Sequence, residues 1–288
     1  MGSPDSSHAA ETAGRPSKGG SHVGSVARFE LLRQFRRRRL LVLLIIVAVL
    51  LVLFIVVLQI FGSASSNAYA YASLFGSFVT ILAALAATFF GADALVGEFE
   101  QRTGYLLFPQ PVSRTSIFLG KLLAAFALTT LTLAAYYGVV AAATGVVKGS
   151  VPVELGYSFL LAVLYSTAAL GVAFFLSSAL RGTTMASVVT FALLFFVLAI
   201  ASTIMSVASV RPDGNLAFAG GTISNILSGP YPAAYPGDSQ VPVGGGPGGD
   251  RFRVYSPGVP ISILVMAIWA AVGFGLAWAL YRRREMKG

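Results

Sequence analysis

"RRRRLLVLLIIVAVLLVLFIVVLQIF", Arg36 to Phe61, decides the fold class. Four arginines precede an apolar run whose one polar residue is Gln59. A helix rises about 1.5 Å per residue, so ~20 apolar residues cross the hydrocarbon core of a bilayer. The run at 40–61 meets that length. Ala68-Tyr69-Ala70 mimics a leader cleavage site, but a leader's apolar region has only about 7–15 residues. The run therefore reads as a retained first span. Five further apolar segments follow at 71–96, 116–146, 155–180, 184–208 and 259–281. The one at 116–146 is long enough to tilt or to project from the bilayer. The expected fold is an all-α integral membrane bundle of six transmembrane helices, spanning 27–288 behind a disordered cytoplasmic tail at 1–26.

Composition agrees. The 288 residues are 56% hydrophobic and 11% charged, with a mean hydropathy of +0.79. Soluble domains carry about 25% charged residues. The net charge of +9 does not point to nucleic acid, because its basic clusters abut the spans. Such clusters orient spans and meet lipid headgroups. With the N-terminus inside, sixteen Lys and Arg fall on the cytoplasmic side and four, Lys148, Arg211, Arg251 and Arg253, on the other. That asymmetry puts both termini in the cytoplasm of a multi-pass cell-membrane protein. Trp278 and Tyr281 read as an aromatic belt at the last inner boundary. The absence of cysteine excludes disulfides and thiolate chemistry. His8 and His22 lie in the tail without companion ligands, so no metal site is expected.

Before the first span, "ARFELLRQFRRRR" places Phe29, Leu32 and Phe35 on one helical face, with Arg28, Arg33 and Arg36 among the polar positions. This reads as an interfacial helix on the inner leaflet, with Arg36, Arg37, Arg38 and Arg39 holding the first span in register. A plain stop-anchor charge cluster is the alternative. Between the last two spans, glycine and proline make up 18 of the 50 residues at 209–258. "VPVGGGPGGD" at 241–250 suits neither helix nor central strand, whereas "LAFAGGTISNILSG" at 216–229 can form a short helix or a hairpin dipping into the outer leaflet. The rest of that segment is expected to be irregular.

One inner loop stands apart: "GEFEQRTGYLLFPQPVSRTSIFLGK", Gly97 to Lys121. Glu98 and Arg102 have the i, i+4 spacing of a helical ion pair. Gly104 can end a short helix, Pro109 and Pro111 stiffen the return, and Ser113 is a good N-cap for the next span. Phe99, Tyr105, Leu106, Leu107 and Phe108 make an apolar face of the kind that meets a protein or the interface. A loop that merely finishes two helices on headgroups is the alternative.

Glu98, Glu100, Arg102, Gly104, Pro111, Val112, Ser113, Arg114, Gly120 and Lys121 make this loop resemble the first cytoplasmic loop of type-two ATP-binding-cassette (ABC) exporter permeases. The span layout extends the resemblance over about 27–285; the tail and the Gly/Pro-rich segment have no counterpart. The resemblance implies a permease subunit that moves substrate by alternating access. Its coupling helix, with Glu98, Phe99, Glu100, Arg102, Gly104, Tyr105, Ser113, Arg114 and Lys121, would dock on a separate ATPase. It implies two ATPase chains holding ATP and Mg, and a second permease chain, identical or related. This chain has no G-x-x-x-x-G-K-[ST] loop, so it is expected to bind no cofactor and to catalyse nothing itself. Asp93 is the one acid inside an expected span; it reads as an interhelical or snorkelling partner, or else as a substrate ligand. An ion-coupled carrier is disfavoured by the lack of midplane acids. A polytopic scaffold without a transport cycle is the alternative function. The substrate is not legible, although apolar walls favour an amphipathic molecule.

Overall fold

The computed structural model describes residues 20–36, 39–60, 67–97, 114–242 and 251–283. Helix α1 (Gly20–Arg36) leads into α2 (Arg39–Ile60) across a bend of 57°. Helix α3 (Ala68–Gly91) starts at Asn67, whose side chain accepts the Ala70 N–H at 2.8 Å. This satisfies one of the donors that a helix start leaves open. Helix α4 (Arg114–Lys148) runs for 35 residues and stops at Gly149, which takes a left-handed φ of 72°. Only glycine adopts that conformation without a Cβ penalty. Helix α5 (Glu154–Ala179) follows. The next span, Thr183–Val207, comprises α6 (Thr183–Ala192), a π turn (Leu193–Val197) and α7 (Leu198–Val207). Short helices α8 (Leu216–Gly220) and α9 (Thr222–Asn225), a hairpin of β1 (Ser239–Pro242) and β2 (Arg251–Val254), and the last span α10 (Val259–Arg283) complete the described chain. Five of these spans are long and apolar enough to cross a membrane, and the bent α1–α2 pair raises the number to six. The molecule is an all-α integral membrane bundle.

Helix α5 forms the centre. Lipid tails are as apolar as leucine, so helices in a bilayer associate through close packing, which favours small residues at their contacts. Ala83, Ala86 and Ala87 of α3, and Ala162, Ala168, Ala169 and Ala173 of α5, are completely buried. A Cβ added to Gly91 would come within 2.8 Å of the Ala173 Cβ. On the other side of α5, Gly171 faces Gly273 of α10 at backbone contact. These glycines serve packing within the chain. By contrast, only 17% of the Thr183–Val207 window and 22% of the α10 window are buried, against 61% for α3, so most of their surface faces outward.

At the π turn the Leu198 N–H donates to the Leu193 carbonyl, five residues back. The Leu198 carbonyl in turn accepts the Asn215 side-chain amide at 2.8 Å. That bond seats a compact cap on the end of the bundle. Ser158 links the Tyr137 hydroxyl, at 2.7 Å, to the Ile223 carbonyl, at 2.7 Å. Thr222 reaches Ser262 of α10 at 2.7 Å. Gly220 packs beside Tyr165, eleven residues along α5 from Glu154, or about 16 Å deep at the rise of a helix. Helices α8 and α9 therefore re-enter among the spans, and Leu216, Ala219 and Ile223 are fully buried. Outside them, Arg211 bridges Asp213 at 2.8 Å, Asp238 at 2.7 Å and the Ser256 carbonyl at 2.9 Å. The hydrogen bond to Asp213, with the two carboxylate charges, raises the guanidinium pKa further above its already high value. Burial raises the Tyr235 pKa, and its phenol donates to the Pro257 carbonyl.

Three expectations change. The stretch read as a tail to residue 26 is helical from Gly20, because Val26 fits the notch left by Gly120 of α4. The short helix expected within 216–229 is present as α8 and α9, but outside it, where an irregular chain was expected, β1 pairs antiparallel with β2 and Pro242 lies opposite Arg251. Tyr281 is buried and, with Trp278, packs on Phe118 at ring separations of 5.9 and 5.4 Å, so both rings turn into the bundle.

Candidate functional site

The loop singled out in the sequence leaves the bundle after Gly97 and returns at Arg114. Glu98, Phe99, Glu100, Arg102, Gly104, Tyr105 and Ser113 lie outside the described residues, as do Arg37 and Arg38. What the structure defines is the frame that holds the loop's two ends.

On the outgoing side, α3 stops at Gly91 and the chain turns through residues 92–95. Two amides of this turn, Leu95 and Val96, donate to the Ser177 hydroxyl of α5 at 3.0 and 3.1 Å. A turn at a helix end exposes unpaired N–H groups, and here a serine from the central helix takes two of them in a buried place. Asp93 lies within the turn, beyond the end of α3, and is buried. The Gly97 N–H closes back on the Asp93 carbonyl at 3.1 Å. Ala92, Ala94, Leu95 and Val96 are all buried as well, so the last residues before the loop are embedded between helices. A Cβ built on Gly97 would touch the Thr183 methyl at 3.7 Å, so the loop departs beside the start of α6.

On the returning side Arg114 is exposed, and the next two turns of α4 sink under α1. At Gly120 a Cβ would lie 2.6 Å from a Val26 methyl and 3.2 Å from the Ala27 nitrogen, which forces a glycine at this crossing. One residue on, Lys121 departs from the expectation of a docking residue. Its side chain is 3% exposed, and its ammonium stands 3.6 Å from the Glu30 carboxylate of α1. Glu30 also accepts Arg33 at 2.9 Å. A buried acid needs such partners, since taking an unpaired charge out of water costs several kcal/mol. Lys121 is covered by α1 and ties α1 to α4.

Helix α1 consequently has two distinct faces. Glu30 and Gln34 are buried against α4. Phe29, Leu32 and Phe35 point away from the protein, at 67, 53 and 45% exposure. A carboxylate and an amide turned inward, with Phe29, Leu32 and Phe35 turned outward, is unlike a soluble surface helix and suits a helix lying on acyl chains. Arg36 ends α1 exposed at the bend, and Arg39 starts α2.

The sequence signals for Ser177, Glu30 and Gln34 were absent or ambiguous. A serine in an apolar helix usually bonds to its own backbone, and Glu30 reads as one more polar position on a basic helix. Lys121 carried a signal, but toward the wrong partner. Among the described residues no group of three or more His, Cys, Asp or Glu side chains gathers to hold a metal.

The geometry is a loop whose entry is pinned to α5 and whose exit is pinned to α1. A family model described as ABC-2 family transporter protein matches residues 58–279, which include the loop, five of the spans and the cap. No curated protein matches the chain significantly.

Proposed function

The chain belongs to the ABC-2 transporter family, and from that premise we propose that it is the permease subunit of an exporter driven by a separate ATPase. Two ATPase chains bind ATP and Mg and close on hydrolysable nucleotide. Two permease chains, identical or related, enclose the pathway and alternate between inward-open and outward-open states. Residues 98–108 form the coupling helix, and Glu98, Phe99, Glu100, Arg102, Gly104 and Tyr105 face the ATPase, with Ser113 and Arg114 at the elbow. The chain lies in the cell membrane with both termini and the loop in the cytoplasm.

The observation that carries this reading is the double pinning of the loop: Ser177 on the Leu95 and Val96 amides, and Glu30 on Lys121. Switching elements work by moving packed bodies against one another, and a stroke delivered to a loose loop would be absorbed there. Here it would reach α3 and α5 through the turn, and α1 through α4. The Thr183–Val207 and α10 spans, with most of their surface outward, supply area for a second permease and for the pathway.

The experiment uses the full chain coexpressed with the ATPase encoded nearest its gene. Glu98→Arg and Phe99→Asp should each reduce copurification of the ATPase or its transport-stimulated ATP hydrolysis. An exposed ion pair contributes about 0–1 kcal/mol, so Glu98→Arg should leave folding intact. Wild-type association and turnover in both variants would exclude the coupling role and favour a scaffold without a transport cycle.

A further inference from the structure

We infer that Glu154, at the cap end of the bundle, is the counter-charge of a binding site for an alkylammonium group. Glu154 opens α5 and is 4% exposed. One carboxylate oxygen, Oε1, accepts the Tyr231 N–H of the cap at 3.1 Å. The other, Oε2, is buried and has no hydrogen-bond partner. The start of α5 does not supply one. Its Leu155 and Gly156 N–H groups turn back to the Pro152 and Val153 carbonyls, at 3.1 and 2.9 Å. Among the described residues no Lys or Arg forms an ion pair with Glu154. Lys148, at the neighbouring end of α4, stands 5.6 Å from the centre of the Tyr71 ring.

A carboxylate taken out of water needs a compensating charge as well as donors. A water molecule on Oε2 would satisfy its lone pairs and leave the charge. A cation from outside the chain does both. A divalent metal ion fits poorly, because it takes several oxygen ligands, carboxylates among them. Among the described residues no group of three His, Cys, Asp or Glu side chains gathers to hold one. A single acid suits a single positive charge.

The surroundings select an organic cation. The Tyr69 phenol of α3 stands beside the Glu154 carboxylate. Tyr157 lies one turn along α5 from Glu154, at a neighbouring surface position, and is exposed. Tyr231, held through its own N–H, is exposed and meets the Tyr235 ring edge-on at 5.9 Å. Three elements, α3, α5 and the cap, thus bring tyrosines to one acid. The negative face of an aromatic ring attracts cations, and rings grouped together recognise quaternary ammonium. Tyr157 and Tyr231 form the rim that the cation meets first, and Glu154 lies behind it. Two sources carry this group: the choline headgroup of a lipid and a free organic cation.

The test is calorimetric titration of choline into the full chain in maltoside micelles, which carry neither charge nor ammonium. Wild type should bind choline saturably and should not bind its neutral tert-butyl analogue, in which carbon replaces the charged nitrogen. Glu154→Gln keeps an acceptor for the Tyr231 N–H and removes the charge, so affinity should fall about thirtyfold or more. Tyr157→Leu should weaken binding about two- to fivefold, and Tyr157→Phe, which keeps the ring, should leave it at the wild-type level. Tyr157 is exposed, so its variants test the site even where Glu154→Gln fails to fold. Displacement of choline by phosphatidylcholine and not by phosphatidylglycerol identifies a lipid headgroup as the source, and displacement by neither identifies a free cation. Absence of choline binding by wild type overturns the proposal, as does equal binding of the analogue. Undiminished binding in Glu154→Gln, or in Tyr157→Leu, overturns it as well.

Discussion

The glycine crossing between α5 and α10 offers a quantitative test of the fold. A Cβ added at Gly273 of α10 would lie 2.5 Å from the Gly171 carbonyl carbon, 2.8 Å from its oxygen and 2.9 Å from its Cα. All three are backbone atoms of α5, so no side chain can rotate away. Ordinary contact begins near 3.4 Å, so Gly273→Ala must part the helices by roughly 0.9 Å. A gap of that size forfeits about a quarter to a half of the dispersion energy of the atoms it separates. No hydrophobic term compensates in lipid. Overpacking of this kind costs about 1–3 kcal/mol, against a gain of about 1 kcal/mol from replacing glycine with alanine in a helix. Two neighbours calibrate the result. Gly275 has nothing within 4 Å, so Gly275→Ala should keep the propensity gain without the clash. At Gly171 the nearest atom is 3.2 Å away, so Gly171→Ala should fall between. Thermal unfolding in detergent should rank them Gly275→Ala, Gly171→Ala, Gly273→Ala from highest to lowest midpoint. At ~2–4 °C per kcal/mol for a chain of this size, the extremes should differ by several degrees. A Gly273→Ala midpoint equal to or above that of Gly275→Ala would refute the backbone contact.

Ser177→Ala should strand two buried amides, at about 1–3 kcal/mol for an unsatisfied group; hydrogen exchange at Leu95 and Val96 should speed up while mid-α4 exchange is unchanged. Lys121→Met should loosen α1 from α4. A cysteine at Gln34, which is 3% exposed, should then react faster with a thiol reagent than in the Lys121 parent, and the exchange Glu30→Lys with Lys121→Glu should slow it again. A cysteine at Ser239 should react with an impermeant reagent in intact cells and one at Ser113 should not, with no native thiol to confuse the readout.

The spans were legible because hydropathy over twenty residues is a strong, local signal. The segment expected at 155–180 is α5 at Glu154–Ala179, and that expected at 259–281 is α10 at Val259–Arg283. The paired apolar residues Phe29, Leu32 and Phe35 were equally plain, since their spacing is itself the face they form. What escaped was whatever depends on a partner distant in sequence. Ser177 and Leu95 are 82 residues apart, and nothing in either neighbourhood announces the other. The Glu30–Lys121 pair joins segments on either side of two spans. The short helix within 216–229 was legible, but its depth was not: Gly220 fits against Thr80 and Tyr165, both far from it in sequence, where no side chain would. Trp278 and Tyr281 looked like belt residues because position along a span was visible and direction around it was not.

The π turn at Leu193–Val197 makes the cap's position a matter of counting. An α-helix turns about 100° per residue, and the turn holds one residue beyond the regular ladder. Deleting any one of the five would return the span to the regular ladder and remove the Leu198–Leu193 bond that sets the wide turn beneath the cap. Substitutions at Phe196 or Val197, which are 54 and 52% exposed, leave that count alone. The two ends of the span are thus differently constrained in length and in chemistry. A related chain one residue shorter between Thr183 and Val207 should carry a regular helix there, with no wide turn beneath the cap.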